Sequence, residues 1–179
     1  KAPTMLDESA GTEWRKELLS WIAQNAEAYN RARPIAEVAL VYSNRTRNQT
    51  YGSSLETLVQ TQHALDDAEI AYIVITEPNI ERIHDFPYVI FPDVTYATDA
   101  VQTEVAKYQG KLLLIGDSLT RDAWDEKDLT PPVEAMSVRE AVNAVSTLPI
   151  NIKGAEGLFV ELFKKGEVVQ VRIFDPNLT

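Results

Sequence analysis

Four short apolar runs punctuate the chain: Val38–Tyr42, Ala71–Ile75, Tyr88–Phe91 and Leu112–Ile115. Unbroken runs of this length suit strands buried on both faces, as in a parallel sheet. Between them the spacing changes to helical. Leu55, Leu58, Val59 and Leu65 share one face of a predicted helix, and Ser53 with Glu56 predicts a capping box at its start. A second helix is predicted to carry Val101, Val105 and Tyr108, with Thr98 as its N-cap and Gly110 at C′. Ser137 and Glu140 form another expected capping box, opening a helix with Val138, Val142, Val145 and Leu148. Strand and helix alternate with short links, which predicts an α/β fold with a mainly parallel sheet and right-handed crossovers.

The two ends depart from this rhythm. Residues 1–11 read as an irregular lead-in, after which Trp14, Leu18, Trp21, Ile22, Tyr29 and Ala32 predict a helix over 12–33, capped by Thr12 and stopped by Pro34. Its tryptophan face packs either into this chain's own core or against another domain or subunit, which makes Trp14, Leu18 and Trp21 interface candidates. At the other end, Gly157–Phe163 and Val168–Phe174 flank Lys164-Lys165-Gly166-Glu167, a hairpin signal. The expected organisation is an α/β domain over 1–155. The hairpin over 156–179 is then either an edge of its sheet or the start of a following β domain.

Composition narrows the function classes. The 179 residues suit one domain, and 45% apolar residues suffice for a real core. With 17 basic against 27 acidic residues the net charge is −10, which argues against nucleic-acid backbones and anionic membrane surfaces as partners and favours solubility. There is no cysteine, so disulfides, thiolate metal sites and cysteine nucleophiles are excluded, and the cellular compartment stays open. His63 and His84 are the only histidines. No metal or cofactor is expected. No apolar run approaches a membrane span. A start at Lys1, with neither Met nor a signal peptide, reads as a mature chain or an excised fragment.

In an open α/β sheet, ligands bind beyond the carboxyl ends of the strands. Those ends carry Ser43, Asn44 and Arg45, then Glu77, Asp93, and Gly116-Asp117-Ser118. These are the candidates for a small-molecule crevice, although no glycine-rich phosphate loop accompanies them. Glu77 and Asp93 end neighbouring predicted strands and could pair for acid–base work. Gly116-Asp117-Ser118-Leu119 reproduces the signature of the GDSL esterases, whose serine is a nucleophile. A serine nucleophile needs a base, and no histidine follows residue 84, so an ordinary strand-to-loop turn is the expected role of Ser118 and Asp117. The acidic stretch with Asp117, Asp122, Asp125, Glu126 and Asp128 lacks calcium-loop spacing and reads as a solvated loop. His63 and His84 read as surface groups.

The order of segments resembles the glutamine-amidotransferase-like domain, also called the trimerisation domain, that follows the catalytic barrel in family 42 β-galactosidases and related glycosidases. Three stretches carry the resemblance: the long helix through Trp21–Tyr29 leading into Ala36–Ser43, then Asp85–Pro92, and Gly110–Ile115 followed by Asp122–Asp128. The closing Val171–Asn177 resembles the start of the small β domain that comes next in such chains. The resemblance implies a flavodoxin-like (class I glutamine-amidotransferase-like) three-layer sandwich. It also implies a non-catalytic accessory or oligomerisation role, with other domains of the same chain and further copies of it as partners. True amidotransferases place a cysteine where Asp117 and Ser118 stand here, with a histidine later, so amidotransferase chemistry is not implied.

Overall fold

The four apolar runs become strands of one parallel sheet; three are largely buried, whereas the run expected over Ala71–Ile75 becomes an edge strand over Tyr72–Thr76 in which Ile75 is buried and Val74 is exposed. The computed structural model describes residues 8–29, 33–145 and 159–174. Its elements in chain order are α1 (Glu8–Tyr29), β1 (Arg33–Pro34), β2 (Val38–Tyr42), α2 (Asn44–Gln49), α3 (Ser53–Asp67), β3 (Tyr72–Thr76), a 3-10 helix (Glu77–Asp85), β4 (Tyr88–Pro92), β5 (Tyr96–Ala97), α4 (Asp99–Lys107), β6 (Lys111–Ile115), β7 (Arg121–Asp122), β8 (Ala135–Met136), α5 (Val138–Ala144), β9 (Phe159–Lys165) and β10 (Val168–Phe174).

The central sheet runs β3-β2-β4-β6-β8, with every pair parallel. Numbered within the sheet this is 2-1-3-4-5, the order of flavodoxin-like doubly wound folds. Alternation along β2 shows why both faces are covered. Val38 and Leu40 join a cluster with Leu58 and Leu65 of α3 and Ala141 and Val142 of α5. Ala39 and Val41 join the opposite cluster, with Ile80 and Ile83 of the 3-10 helix and Val101 of α4. All four of these β2 residues are fully buried. The result is a three-layer sandwich around a parallel sheet: the alternating pattern predicts the α/β fold and the parallel sheet, and the resemblance implies the three layers. The last strand, β8, is only two residues long and had no apolar run to announce it.

Several local expectations are corrected. Among the described residues the first helix covers Glu8–Tyr29, so Thr12 lies inside it rather than capping it. Arg33, pushed towards extended backbone by the proline after it, pairs with Lys164 of β9 instead of prolonging the helix. Ser53 and Glu56 form no capping box: Gly52, at φ 91, is the cap residue, and Ser53 is already helical. Gly110 is not a left-handed C′ residue. α4 ends on Tyr108 in extended conformation, and a Cβ at Gly110 would clash with the Tyr108 hydroxyl and sit 2.7 Å from the Pro87 carbonyl. Glycine is required there by close approach. The Ser137–Glu140 capping box forms as expected, and Thr98 caps α4. Leu148, the lead-in residues 1–7 and Asp175–Asn177 lie outside the described residues.

The hairpin forms with both of its predicted strands, around Gly166 at φ 59. Among the described residues it pairs with no strand of the central sheet. With β1 it makes a separate three-stranded sheet, in the order β1-β9-β10.

Candidate functional site

The strand order reverses between β2 and β4, so the loops after these strands and after β6 frame the position where a ligand would bind in such a fold. Each loop is fixed by polar side chains that the backbone consumes. After β2 the chain turns at once into α2. Ser43 caps this helix by accepting from the Thr46 N–H at 2.9 Å, and its hydroxyl donates to Glu77 Oε1. Ser43 is 3% exposed. Thr46, also buried, accepts from the Tyr96 N–H at 3.1 Å and so ties α2 to the start of β5.

The loops after β4 and β6 interlock. Asp93 sits at φ 54, and its Oδ1 accepts from the Asp117 N–H at 3.1 Å. Gly116, at φ 62, passes so close that a Cβ would meet that carboxylate oxygen at 2.8 Å. The Leu119 N–H donates to Val94 O at 2.8 Å, which prepares the parallel pairing of β5 with β7. Ser118 lies at the centre of this contact and is 1% exposed. Its Oγ accepts from the Val94 N–H at 3.0 Å and lies 2.7 Å from both the Phe91 and Ile115 carbonyls, to one of which its single proton is donated.

What remains open at this crevice is small. A cavity of about 10 Å³ lined by residues including Ser43, Thr46, Ser54 and Asp93 has room for about one water. Of the six crevice candidates, Ser43 and Asp93 line it. Asn44 and Asp117 are exposed, Arg45 is half-buried, and Glu77 is held by Ser43. Glu77 and Asp93 are thus bound to different partners, and the structure records no pairing between them. His84 Nε2 lies 2.9 Å from Glu104 Oε2 on α4, and His63 is on α3, so neither histidine partners Ser118. Among the described residues no three His, Asp or Glu side chains are grouped to hold a metal ion, and no helix is long and apolar enough to cross a membrane.

The acidic stretch is more ordered than a solvated loop. Asp122 Oδ1 accepts from the Glu126 and Lys127 N–H groups at 2.8 and 3.2 Å. Desolvation acts to raise this carboxyl's pKa, but these donors outweigh it and hold it below the usual value. Arg121 bridges Asp125 and Asp128. The turn presents Trp124, 72% exposed, whose ring lies under the Arg45 guanidinium at 4.9 Å while Arg45 Nη1 donates to the Ala123 carbonyl. Sequence reasoning missed Thr46, Tyr96 and Trp124. Their partners lie far away in the chain, and only Ser43 followed by six helix-tolerant residues hinted at the α2 cap.

On α1 the apolar side chains face water. Leu18 is 41% exposed, Leu19 63%, Trp21 50% and Ile22 46%. Trp14 stands on the same helix, but its side chain is outside the described part.

No protein-family model matches this sequence, and no curated protein sequence does either. The fold is similar to part of several solved enzymes. A GH42 exo-carrageenase from Bacteroides ovatus superposes with TM-score 0.59 at 14% identity, over 88% of this chain and 25% of that one. A β-galactosidase from Bacillus circulans sp. alkalophilus gives 0.56 at 18% identity, over 65% of this chain and 19% of that one. A cold-adapted β-galactosidase from Rahnella sp. R3 gives 0.52 at 19% identity, over 63% and 18%. The chain therefore spans about a fifth to a quarter of the length of these enzymes, and at such identities the likeness is one of fold.

Proposed function

We propose that this chain is a non-catalytic accessory domain of a larger glycoside hydrolase, of the glutamine-amidotransferase-like type in family 42 β-galactosidases. α1 is its contact with the rest of that protein and with further copies. The observation that carries this reading is the exposure of Leu18, Leu19 and Ile22 beside the half-exposed Trp21. Burying one such side chain fully is worth roughly 1.5–3 kcal/mol, and contiguous apolar patches usually mark interfaces. The fold similarity to one part of much longer enzymes supplies the context, and the occupied hydroxyl of Ser118 supports the absence of catalysis.

The test combines assembly with turnover. Leu19→Glu with Ile22→Glu should leave the melting temperature of the 179-residue chain nearly unchanged and weaken assembly of the longer polypeptide it belongs to. A loss of more than about 1 kcal/mol of stability in the chain alone would make α1 plain core and remove the interface. The chain alone should hydrolyse neither p-nitrophenyl esters nor glutamine nor p-nitrophenyl galactoside, and sustained turnover of any of them refutes the non-catalytic reading.

A further inference from the structure

Trp124 is 72% exposed, yet it is firmly held. It stands in a turn between Arg121 and Asp128 that is closed at its base. The Asp122 N–H donates to the Lys127 carbonyl at 3.0 Å, Asp122 Oδ1 accepts from the Glu126 and Lys127 N–H groups, and Arg121 pairs with Asp128. Asp125 sits at a left-handed φ of 61, a conformation that persists where the surroundings over-determine it. From the other side, Arg45 of α2 lays its guanidinium over one face of the indole, 4.9 Å from the ring centroid, and donates Nη1 to the Ala123 carbonyl at 2.9 Å. Arg45 Nε is buried with no hydrogen-bond partner. An unpaired buried donor is costly, so the guanidinium is placed by the indole and the Ala123 carbonyl rather than by full satisfaction of its own donors.

We propose that Trp124 is a stacking platform for a neutral saccharide of the β-galactosyl class. Arg45 follows the carboxyl end of β2 and the turn follows β6, so the indole stands where the strand order reverses, the side on which ligands bind in such sheets. With one face under Arg45, its exposed surface is the other face. The residues beside it, Asp125, Glu126 and Lys127, are charged and exposed, and so is the polar Asn44 next to Arg45. The cores of protein interfaces are depleted of charge, so a lone indole among charged groups is a poor seat for another polypeptide. It suits a ligand that is apolar on one face and hydroxylated at its rim. A galacto-configured pyranose has this form: its axial 4-hydroxyl points to one face, and the C3–H, C4–H and C5–H bonds lie together on the opposite one. Those polarised C–H bonds meet the negative face of the indole. The rim hydroxyls need donors and acceptors of the kind that Asn44, Glu126 and Lys127 offer. The net charge of −10 disfavours sulfated or carboxylated sugars. Because the turn is fixed beforehand, stacking orders little of the protein. The choice of sugar rests on the reading above; the platform does not.

The tryptic peptide that follows Arg121 and ends at Lys127 contains Trp124 alone, so hydroxyl-radical footprinting read by mass spectrometry separates it from Trp14 and Trp21. In the longer polypeptide to which this chain belongs, Trp124 should be oxidised readily without sugar. In the 179-residue chain, β-1,4-galactotriose should slow that oxidation saturably. In an NMR titration of the same chain, Trp124→Ala should weaken galactotriose binding at least tenfold with the melting midpoint kept. If that variant melts early, Trp124→Leu, which keeps apolar bulk without a π-face, serves in its place. Shielding of Trp124 in the longer polypeptide before sugar is added would mean that protein covers it, and would overturn the proposal. So would oxidation that galactotriose does not slow, affinity unchanged in Trp124→Leu, or binding of a sulfated galactan alone. Any of these, with the α1 variants behaving as stated above, removes the saccharide platform and leaves the accessory reading standing. Binding that depends on Trp124 while the α1 variants fail does the reverse.

Discussion

Replacing Ser118 by alanine separates two roles for the same hydroxyl. If Ser118 is a structural clasp, the substitution removes the acceptor of the Val94 N–H, in a loop where Val94 is 3% and Ser118 1% exposed. An unsatisfied buried donor costs about 1–3 kcal/mol, and the lost donation to a carbonyl adds about 0.5–1.5 kcal/mol. Part of the second cost is spared, because the Ile115 carbonyl still accepts from the Asp93 N–H at 2.9 Å. The expected loss is therefore about 2–3 kcal/mol. In a chain of 179 residues that lowers the melting midpoint by about 4–12 °C. Urea unfolding should show a lower midpoint with an unchanged slope. A Ser118→Ala protein within about 0.5 kcal/mol of the parent would refute the clasp. Unchanged stability with loss of an ester hydrolysis present in the parent would make Ser118 a nucleophile.

Two further outcomes follow from packing and titration. Gly110→Ala should destabilise by about 1–3 kcal/mol, as overpacking does, since neither the Pro87 backbone nor a Tyr108 hydroxyl bonded to Phe86 O at 2.8 Å yields easily; a melt unchanged from the parent would contradict the contact. Burial pushes the Tyr108 phenol up to about 12 from its ordinary value of 10. A raised pKa means that the neutral form is favoured by folding, so this stability is intact below pH 10 and is lost as pH rises towards 12. Ultraviolet titration should show a late-ionising tyrosine that disappears in Tyr108→Phe, and identical curves above pH 11 would refute the assignment.

Where a residue's role depends on neighbours a few positions away, it was legible in the chain. The runs Val38–Tyr42, Tyr88–Phe91 and Leu112–Ile115 became strands, and the Ser137–Glu140 cap formed, because burial on both faces and capping are local patterns. Roles set by distant partners were not legible. Gly110 looked like a helix stop until the fold brought Pro87 beside it, and Ser53 looked like a cap until Gly52 took the left-handed turn. The strand-end candidates follow the carboxyl ends of their strands, since strand direction follows from the alternation of elements. Only the tertiary structure turned Ser43, Asp93 and Ser118 inward, to donors and acceptors supplied by other loops. The sequence by itself thus determined the layers and the location of the crevice, through apolar periodicity and local capping. Whether that crevice is open was decided by hydrogen bonds between residues 24 to 50 positions apart, which no local pattern encodes.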